Sequence, residues 1–505
     1  MRKKVVWLCI MAVGLLYGIG TYIYFSIEPA FKDYCPITMP DQEIFILEDP
    51  GNPHHRFKTI NDASCLNQTR VYDIIPIKTI DDIRQTLKTA HEKKLSISIA
   101  GIRHSMGGQA FFDDALVLDM THFNRIICLD EKNKILKVES GATWHDIQIY
   151  LNAKNLAVKA MQSTDIFTVG GSLSVNAHGM DHNAGSIAST IRSFTLMLAD
   201  GTIKKVTPHE TPTLFNAVVG GYGLFGVVLE IELEVTDNVM YQRDTIILDY
   251  REFPDFFKNA IVNNTYGLLY AHLSTSPLSF FEDMLIYGYR KVEYDGSFEP
   301  LSKISFIQLR RFLINLSKKR KYAQVFKWLA EKYIDPSIEL FRKKSLISRN
   351  EIMHDSVEYL ENVLINETDI LQEYFIPYKH FVAFIEQMRI ILKKSTILTL
   401  NASVRIAHKQ SIMLNYAPED MFAIVLYLNQ KVTVHALHAM EVLTCELIDL
   451  VLKFEGSFFL PYQLYYTEEQ LQKAYPSIDS FFSLKRHYDP TLLFINNFYA
   501  KYASH

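Results

Sequence analysis

The sequence predicts a protein of mixed helices and strands with an antiparallel sheet in its second half, on three observations. Strand and amphipathic-helix patterns alternate from residue 70 to residue 153. A turn at Ala199-Asp200-Gly201 joins two strands, 191–198 and 203–206, into a hairpin. After residue 373 a strand (374–377), a helix (378–393) and two further strands (398–407 and 421–430) follow in the order of a sheet covered on one face.

A length of 505 residues allows two or more domains, and 48% hydrophobic with 12% aromatic residues is a globular composition. The 52 Lys and Arg nearly balance the 56 Asp and Glu. Nothing global therefore points to nucleic acid.

Residues 5–25 carry no charge and are long enough, at about 20 residues, to span a bilayer as a helix. Arg2, Lys3 and Lys4 before them place that end in the cytoplasm and the body across the membrane. An uncleaved single-pass anchor over 1–27 is the expectation, with a cleaved signal peptide as its rival. Of five cysteines, Cys9 lies in the anchor, Cys35 and Cys65 are able to pair in an oxidising compartment, and Cys128 and Cys445 read as buried thiols. No CxxC occurs, so no metal site is expected.

After a linker, 28–64, residues 70–76 read as a strand, 79–93 as a helix opened by Thr79 with Asp82, and 95–100 as a strand. Gly101-Ile102-Arg103-His104-Ser105-Met106-Gly107-Gly108 follows directly. It reads as a loop whose amides wrap phosphates, or as a plain connection with a surface histidine. Strands at 115–120 and 135–139 and a helix at 143–153 come next.

The stretch 163–186 holds Gly170, Gly171, Gly179 and Gly185 among Thr168, Ser172, Asn176, His178 and Ser186. Glycines there admit a polar ligand along backbone amides, or a tightly packed turn. A helix at 213–219 and a strand at 227–235 flank Gly221-Tyr222-Gly223-Leu224-Phe225-Gly226. That run matches GxGxxG, but the dinucleotide fingerprint needs strand before helix and the order here is reversed. A Rossmann domain is excluded, and the glycines turn a helix into a closing strand beside a ligand.

Four segments in order, GIRHSMGG at 101–108, TVGGSLSVNAHG at 168–179, GSIASTIRSFTLMLADG at 185–201 and LFNAVVGGYGLFGVV at 214–228, resemble the vanillyl-alcohol-oxidase-type (PCMH-type) flavoproteins. The likeness is closest to the branch of aldonolactone and alditol oxidases and decaprenylphosphoryl-ribose oxidases. The resemblance implies a two-subdomain α+β FAD-binding domain over 65–237, then an antiparallel-sheet cap over 238–480, with 481–505 returning to the flavin domain. It places FAD against Gly101, Ile102, Arg103, His104, Ser105, Gly107, Gly108, Thr168, Gly170, Gly171, Ser172, Asn176, His178, Gly179, Gly185, Ser186, Ile187, Gly226, Val227 and Asn496. His104 falls where many members bond the flavin covalently, while other members hold it without a bond.

Basic residues cluster around 303–347, among them Arg310, Arg311, Lys318, Lys319, Lys327 and Lys332, with apolar residues between. Such a helical insertion lies on an anionic membrane surface or forms a solvated face. In the cap, Ser403-Val404-Arg405 aligns with a Glu-x-Arg element of the sugar-lactone and alditol oxidases. Arg405 is retained, either to stabilise negative charge on substrate or reduced flavin or as a salt-bridged surface residue of a strand, while Ser403 replaces the glutamate. No lysine stands near 460–463, where the polyprenyl-ribose oxidases carry a catalytic one, and Tyr462 is the closest polar group. Tyr462, His408 and His178 are the candidate bases, in that order. Asn496 and Asn497 face the flavin or simply belong to a packed terminus.

These readings converge on a membrane-anchored FAD oxidoreductase that oxidises a CH–OH group of a sugar, aldonolactone or polyol, with the electron acceptor undefined. A lipid-linked phosphosugar oxidase and a flavin-binding module without turnover stand as alternatives.

Overall fold

Thr79 opens the first helix through a reciprocal cap. Its hydroxyl accepts the Asp82 amide while the Asp82 carboxylate accepts the Thr79 amide, at the head of Ile80–Lys93. The computed structural model describes residues 47–49, 52–304, 307–319, 321–334, 346–355, 357–360, 362, 364 and 366–503. Ile83, Leu87 and Ala90 of that helix share a core with Ile97, Leu116 and Leu118. These last three belong to a parallel sheet in the strand order Asp73–Pro76, Leu116–Asp119, Ile97–Ala100. The end of the chain extends this sheet: the Ile97 amide donates to Leu493 O at 2.6 Å and the Ile495 amide to Ile97 O at 2.9 Å.

A second sheet is antiparallel, in the order Ile203–Val206, Ile191–Met197, Val227–Asp237, Ile135–Glu139, Ile126–Asp130, with Leu156–Val158 also pairing Val227–Asp237. The turn at 199–201 closes its hairpin, Met197 facing Ile203. Gly201 supplies the left-handed conformation that the turn requires, φ +80°. Ile126–Asp130 is an edge strand, and a register shift between Ile126 and Cys128 turns Ile127 and Cys128 outward. The expectation of two buried free thiols is corrected here: Cys128 is exposed and Cys445 only partly buried. Cys65 is disulfide-bonded.

The second half builds one eight-stranded antiparallel sheet. Its order is Leu346–Ser348, Met240–Asp249, Asp283–Val292, Leu268–Leu273, Leu398–Ala407, Met421–Lys431, Glu367–Pro377, Ser457–Phe458. Helices Phe381–Lys394 and Val434–Lys453 contribute Phe384, Met388, Leu443 and Leu447 to the same core as Ile376, Phe422 and Ile424 of its strands. That core is continuous with Trp144, Leu173 and Phe194 of the first half. A small sheet of Leu47–Asp49, Asn52–Ile60 and Thr69–Val71 precedes both.

The basic insertion forms helices Ile307–Lys319 and Lys321–Leu329. Its charges meet the protein's own acids: Arg310 with Asp355, Lys318 with Asp369, Lys319 with Glu367, Lys327 with Glu331 and Lys332 with Asp283. These pairs remove much of the positive field that the composition suggested would face an anionic surface. Arg320, Arg342, Lys343 and Lys344 lie outside the described residues, as do Cys9, Cys35 and the apolar run 5–25. Among the described residues no helix is long and apolar enough to cross a membrane.

Lys318 is fully buried against Asp369, whose carboxylate also accepts from Tyr427 Oη and Asn429 Nδ2. Lys318→Met leaves that carboxylate without its cation. It is expected to cost about 3 kcal/mol in urea unfolding, whereas Lys319→Ala, at a half-exposed pair, is expected to cost less than about 1 kcal/mol.

Candidate cofactor cleft and active site

The strand Ile97–Ala100 ends in the loop 101–108, and the loop's course is fixed by what holds it. The Gly108 amide donates to Asp62 Oδ2 at 2.9 Å and the Gly107 amide to Gln109 Oε1 at 2.9 Å. Gln109 Nε2 in turn donates to Leu460 O at 2.8 Å and Tyr462 O at 2.9 Å, and the Met106 amide to Pro461 O at 2.7 Å. A side chain on Gly107 would meet Tyr462 O at 2.4 Å. The loop is thereby tied to residues 460–462, which carry the Tyr462 side chain to the same opening.

Opposite, the glycine-rich stretch is a short helix rather than an extended loop, Val169–Val175, with Thr168 capping through the Gly171 amide. Ser172 Oγ donates to Gln162 Oε1 at 2.8 Å and accepts Trp144 Nε1–H at 2.9 Å, which pins this helix to the helix Trp144–Asn152. Asn176 closes it in the left-handed conformation, φ 50°. Its side chain accepts the Ala188 amide at 3.1 Å. That reversal brings His178 to the eight-stranded sheet.

Between loop and helix lies a cleft of about 1280 Å3, counted to its open mouth. It is lined by Gly101, Ile102, Arg103, His104 and Ser105 of the loop, by Thr168, Gly170, Gly171 and Ser172, by Tyr222, Gly223 and Gly226, and by His178, Leu371, Glu373, Arg405, Phe459 and Tyr462. The GxGxxG run thus lines the same cleft, and it does stand after a helix, Pro212–Val218, and before a strand, Val227–Asp237.

At the floor formed by the eight-stranded sheet, His178 Nε2 lies 2.7 Å from Glu373 Oε1, and both side chains are almost fully buried. Tyr462 Oη donates to Glu373 Oε2 at the longer distance of 3.4 Å. Burial, and then the Glu373 carboxylate beside it, push the Tyr462 phenol well above its usual range, so it is a proton donor at neutral pH. The His178 ring packs among Phe375, Tyr416 and Phe459. Burial pushes the His104 imidazole down to about 4, so it is neutral at pH 7, and its ring meets Phe167 edge-on with centroids 5.0 Å apart.

The family description "FAD binding domain" matches residues 74–207, the segment from which most of one wall of this cleft is built. Residues 74–207 are an FAD binding domain. The chain is 31% identical over 156 residues to decaprenylphosphoryl-beta-D-ribose oxidase of Mycolicibacterium smegmatis, covering 30% of this chain and 34% of that protein. It is 26% identical over 156 residues to L-gulonolactone oxidase of Mus musculus (31% and 35%). It is 22% identical over 154 residues to a putative D-arabinono-1,4-lactone oxidase of Neurospora crassa (30% and 28%). The chain thus spans about a third of the length of the curated relatives it matches.

The cleft of the FAD domain suits its cofactor on physical grounds. Ser140 Oγ, His178 Nδ1 and Arg405 Nε are buried without a hydrogen-bond partner and all belong to lining residues, which is the mark of polar groups awaiting a ligand. Glycine is required at the walls: a Cβ on Gly101 would stand 2.4 Å from Thr168 Oγ1, and one on Gly170 2.8 Å from the Ser140 Cβ.

Not every residue singled out in the sequence reaches the lining. Gly107 and Gly108 end the loop away from the lining, and Gly108, at φ +69°, packs against Asn497. Gly179 passes tightly by Met161 O, and Gly185 lies beside His408. Ser186 precedes a single 3-10 turn in which Ile187 is wholly buried. Val227 is a core residue beside Met197. Asn496 caps the helix Asn497–Tyr502 and donates to Tyr222 O at 2.9 Å, so it supports a lining residue from behind. His408 is bonded to His182 O and Asp420 and lines no part of the cleft. Arg405 makes no ion pair among the described residues and stands on Leu398–Ala407, an interior strand of the sheet.

Glu373 is the acidic lining residue that the sequence did not single out. It faces Val425 across one strand pair, and Val425 faces Ser403 across the next. Glu373 therefore occupies the row of Ser403, two strands and roughly 10 Å away. A carboxylate is thus present on this face despite the serine at 403. The available signal was a single acid inside the apolar strand pattern of 370–377.

Gly101→Ala is expected to lower the flavin content of purified protein at least tenfold, read as flavin absorbance per protein. Thr168 Oγ1 cannot yield to the new methyl without giving up its cap on Gly171. Unchanged flavin content would mean that the cleft wall is not where the cofactor lies.

Proposed function

We propose that this chain is an FAD-dependent oxidoreductase that oxidises a CH–OH group of a sugar, aldonolactone or polyol. The carrying observation is the His178–Glu373 pair in the cleft. FAD, when bound, supplies the acceptor for the two electrons that leave as hydride from the carbinol carbon. His178 takes the hydroxyl proton. With Nε2–H donated to the Glu373 carboxylate, the neutral ring bears its lone pair on Nδ1, and Nδ1 is the atom left without a partner. Glu373 fixes this tautomer and steadies the imidazolium that forms, the role a buried carboxylate plays in triads. Tyr462, held as a phenol, donates rather than accepts and orients the Glu373 carboxylate or the substrate oxygen. Arg405 offers its unpaired Nε–H to negative charge on substrate or reduced cofactor.

The names of the relatives, two sugar-lactone oxidases and a lipid-linked ribose oxidase, support a polyhydroxylated substrate. The absence of lysine at 460–463 favours the free sugar-like class over the phosphosugar class. His104, neutral and nucleophilic in the cleft, is the residue we assign to covalent attachment where such a bond forms. The basic N-terminus, the apolar run 5–25 and the disulfide at Cys65 support a membrane anchor with the body on the non-cytoplasmic, oxidising side. Carbonate washing is expected to leave the protein in the membrane fraction, and its release would remove the anchor from the account.

Mixing under anaerobic conditions with a panel of aldonolactones, alditols and phosphosugars should bleach the flavin with one of these classes. With that substrate, Glu373→Gln is expected to slow bleaching by about 10²–10⁴-fold, because the amide can donate to Nε2 and force the proton onto Nδ1. Flavin content and melting temperature should stay near those of the parent, and Glu373→Asp should recover part of the rate. A Glu373→Gln protein that bleaches at the parental rate would remove the pair from the chemistry.

A further inference from the structure

Away from the cleft, three side chains from distant parts of the sequence converge on one point. His145 Nδ1 lies 2.9 Å and His354 Nδ1 2.6 Å from the same oxygen, Oδ2 of the buried Asp165. All three candidate ligand atoms lie within 4.8 Å of one another. The opposite nitrogen of His354, Nε2, is 3.0 Å from Ser302 O. A carbonyl only accepts, so Nε2 must carry the hydrogen. In the neutral ring, Nδ1 then presents a lone pair to a carboxylate oxygen, and two acceptors at that distance repel unless a cation stands among them. A histidine whose far N–H is held by a carbonyl while its near nitrogen faces a carboxylate and a second histidine has the arrangement of a metal ligand with its outer support.

We propose that His145, Asp165 and His354 bind one divalent transition-metal ion of the zinc type. Two imidazoles and a carboxylate are a donor set of that kind, with a fourth position left for water. Metal bonds of about 2.0–2.1 Å place tetrahedral ligand atoms somewhat over 3 Å apart, so the rings must withdraw slightly. His145 has room to do so, since its side chain is 44% exposed and opens on the cavity bordered by Phe298, Pro300, Ser302 and Lys303.

The ion would join the FAD domain to the segment that follows the helix Arg349–Ile352. Asp165 stands three residues before Thr168, the cap of Val169–Val175, and two before Phe167, which packs on His104. Holding Asp165 therefore steadies one edge of the cofactor cleft without contributing an atom to it.

The test uses the purified holoprotein, stripped with a chelator and titrated with Zn2+ alone in a calorimeter. One equivalent should bind, and the melting temperature should rise with Zn2+. His145→Ala, at a half-exposed position, and the milder His145→Asn should each weaken binding at least tenfold and abolish the rise, with flavin content kept. Binding of less than about a tenth of an equivalent, or equal affinity in parent and both variants, overturns the site and leaves a proton as the cation that holds the three groups together.

Discussion

The hydrogen bond between His178 and Glu373 spans the seam of the molecule. One partner comes from the chain that leaves the short helix Val169–Val175 and the other from the strand Glu367–Pro377, so the FAD domain and the eight-stranded sheet meet through a buried polar contact within the shared core. A buried imidazole and a buried carboxylate are tolerable only with each other as partners. The aromatic rings of Phe375, Tyr416 and Phe459 around His178 exclude water from the bond and so make its geometry matter. Shifting either element would strand both groups, which makes the register of the eight-stranded sheet against the cleft a requirement of stability as well as of the proposed chemistry.

The loop 101–108 obeys a similar constraint. It reaches its shape because Asp62, Gln109 and the carbonyls of 460–462 accept or supply its hydrogen bonds. The residues that hold it are thus drawn from before it, from directly after it and from near the end of the chain. The terminal segment 493–497 then binds back on Ile97 and Phe111. The cleft is a product of long-range closure, and the glycines only permit what that closure imposes.

This division explains which parts were legible. The capping box at Thr79, the hairpin at 199–201 and the reversed order around the GxGxxG run are local events, written within a few residues. The cleft walls were legible because glycine at 101, 170 and 171 and the neighbouring histidine report close backbone approach. Glu373 was not, since its meaning depends on strand order: only the pairing through Val425 sets it in the row of Ser403. Cys128 misled because an apolar neighbourhood in sequence does not reveal an edge strand with a shifted register. The ion pairs of the basic insertion were not legible because its acidic partners, Asp283, Asp355, Glu367 and Asp369, lie on other elements. The convergence of His145, Asp165 and His354 had no recognisable spacing at all.

The central claim is that FAD lies between the loop 101–105 and the helix Val169–Val175 with its reactive ring turned toward His178, Glu373 and Arg405. The structure of the flavin-bound protein tests this directly. The account predicts the isoalloxazine within van der Waals distance of the cleft walls, with its redox-active edge within one substrate's width of His178 Nδ1. An isoalloxazine that lies outside this cleft, or that turns that edge away from the Glu373 row, would contradict it.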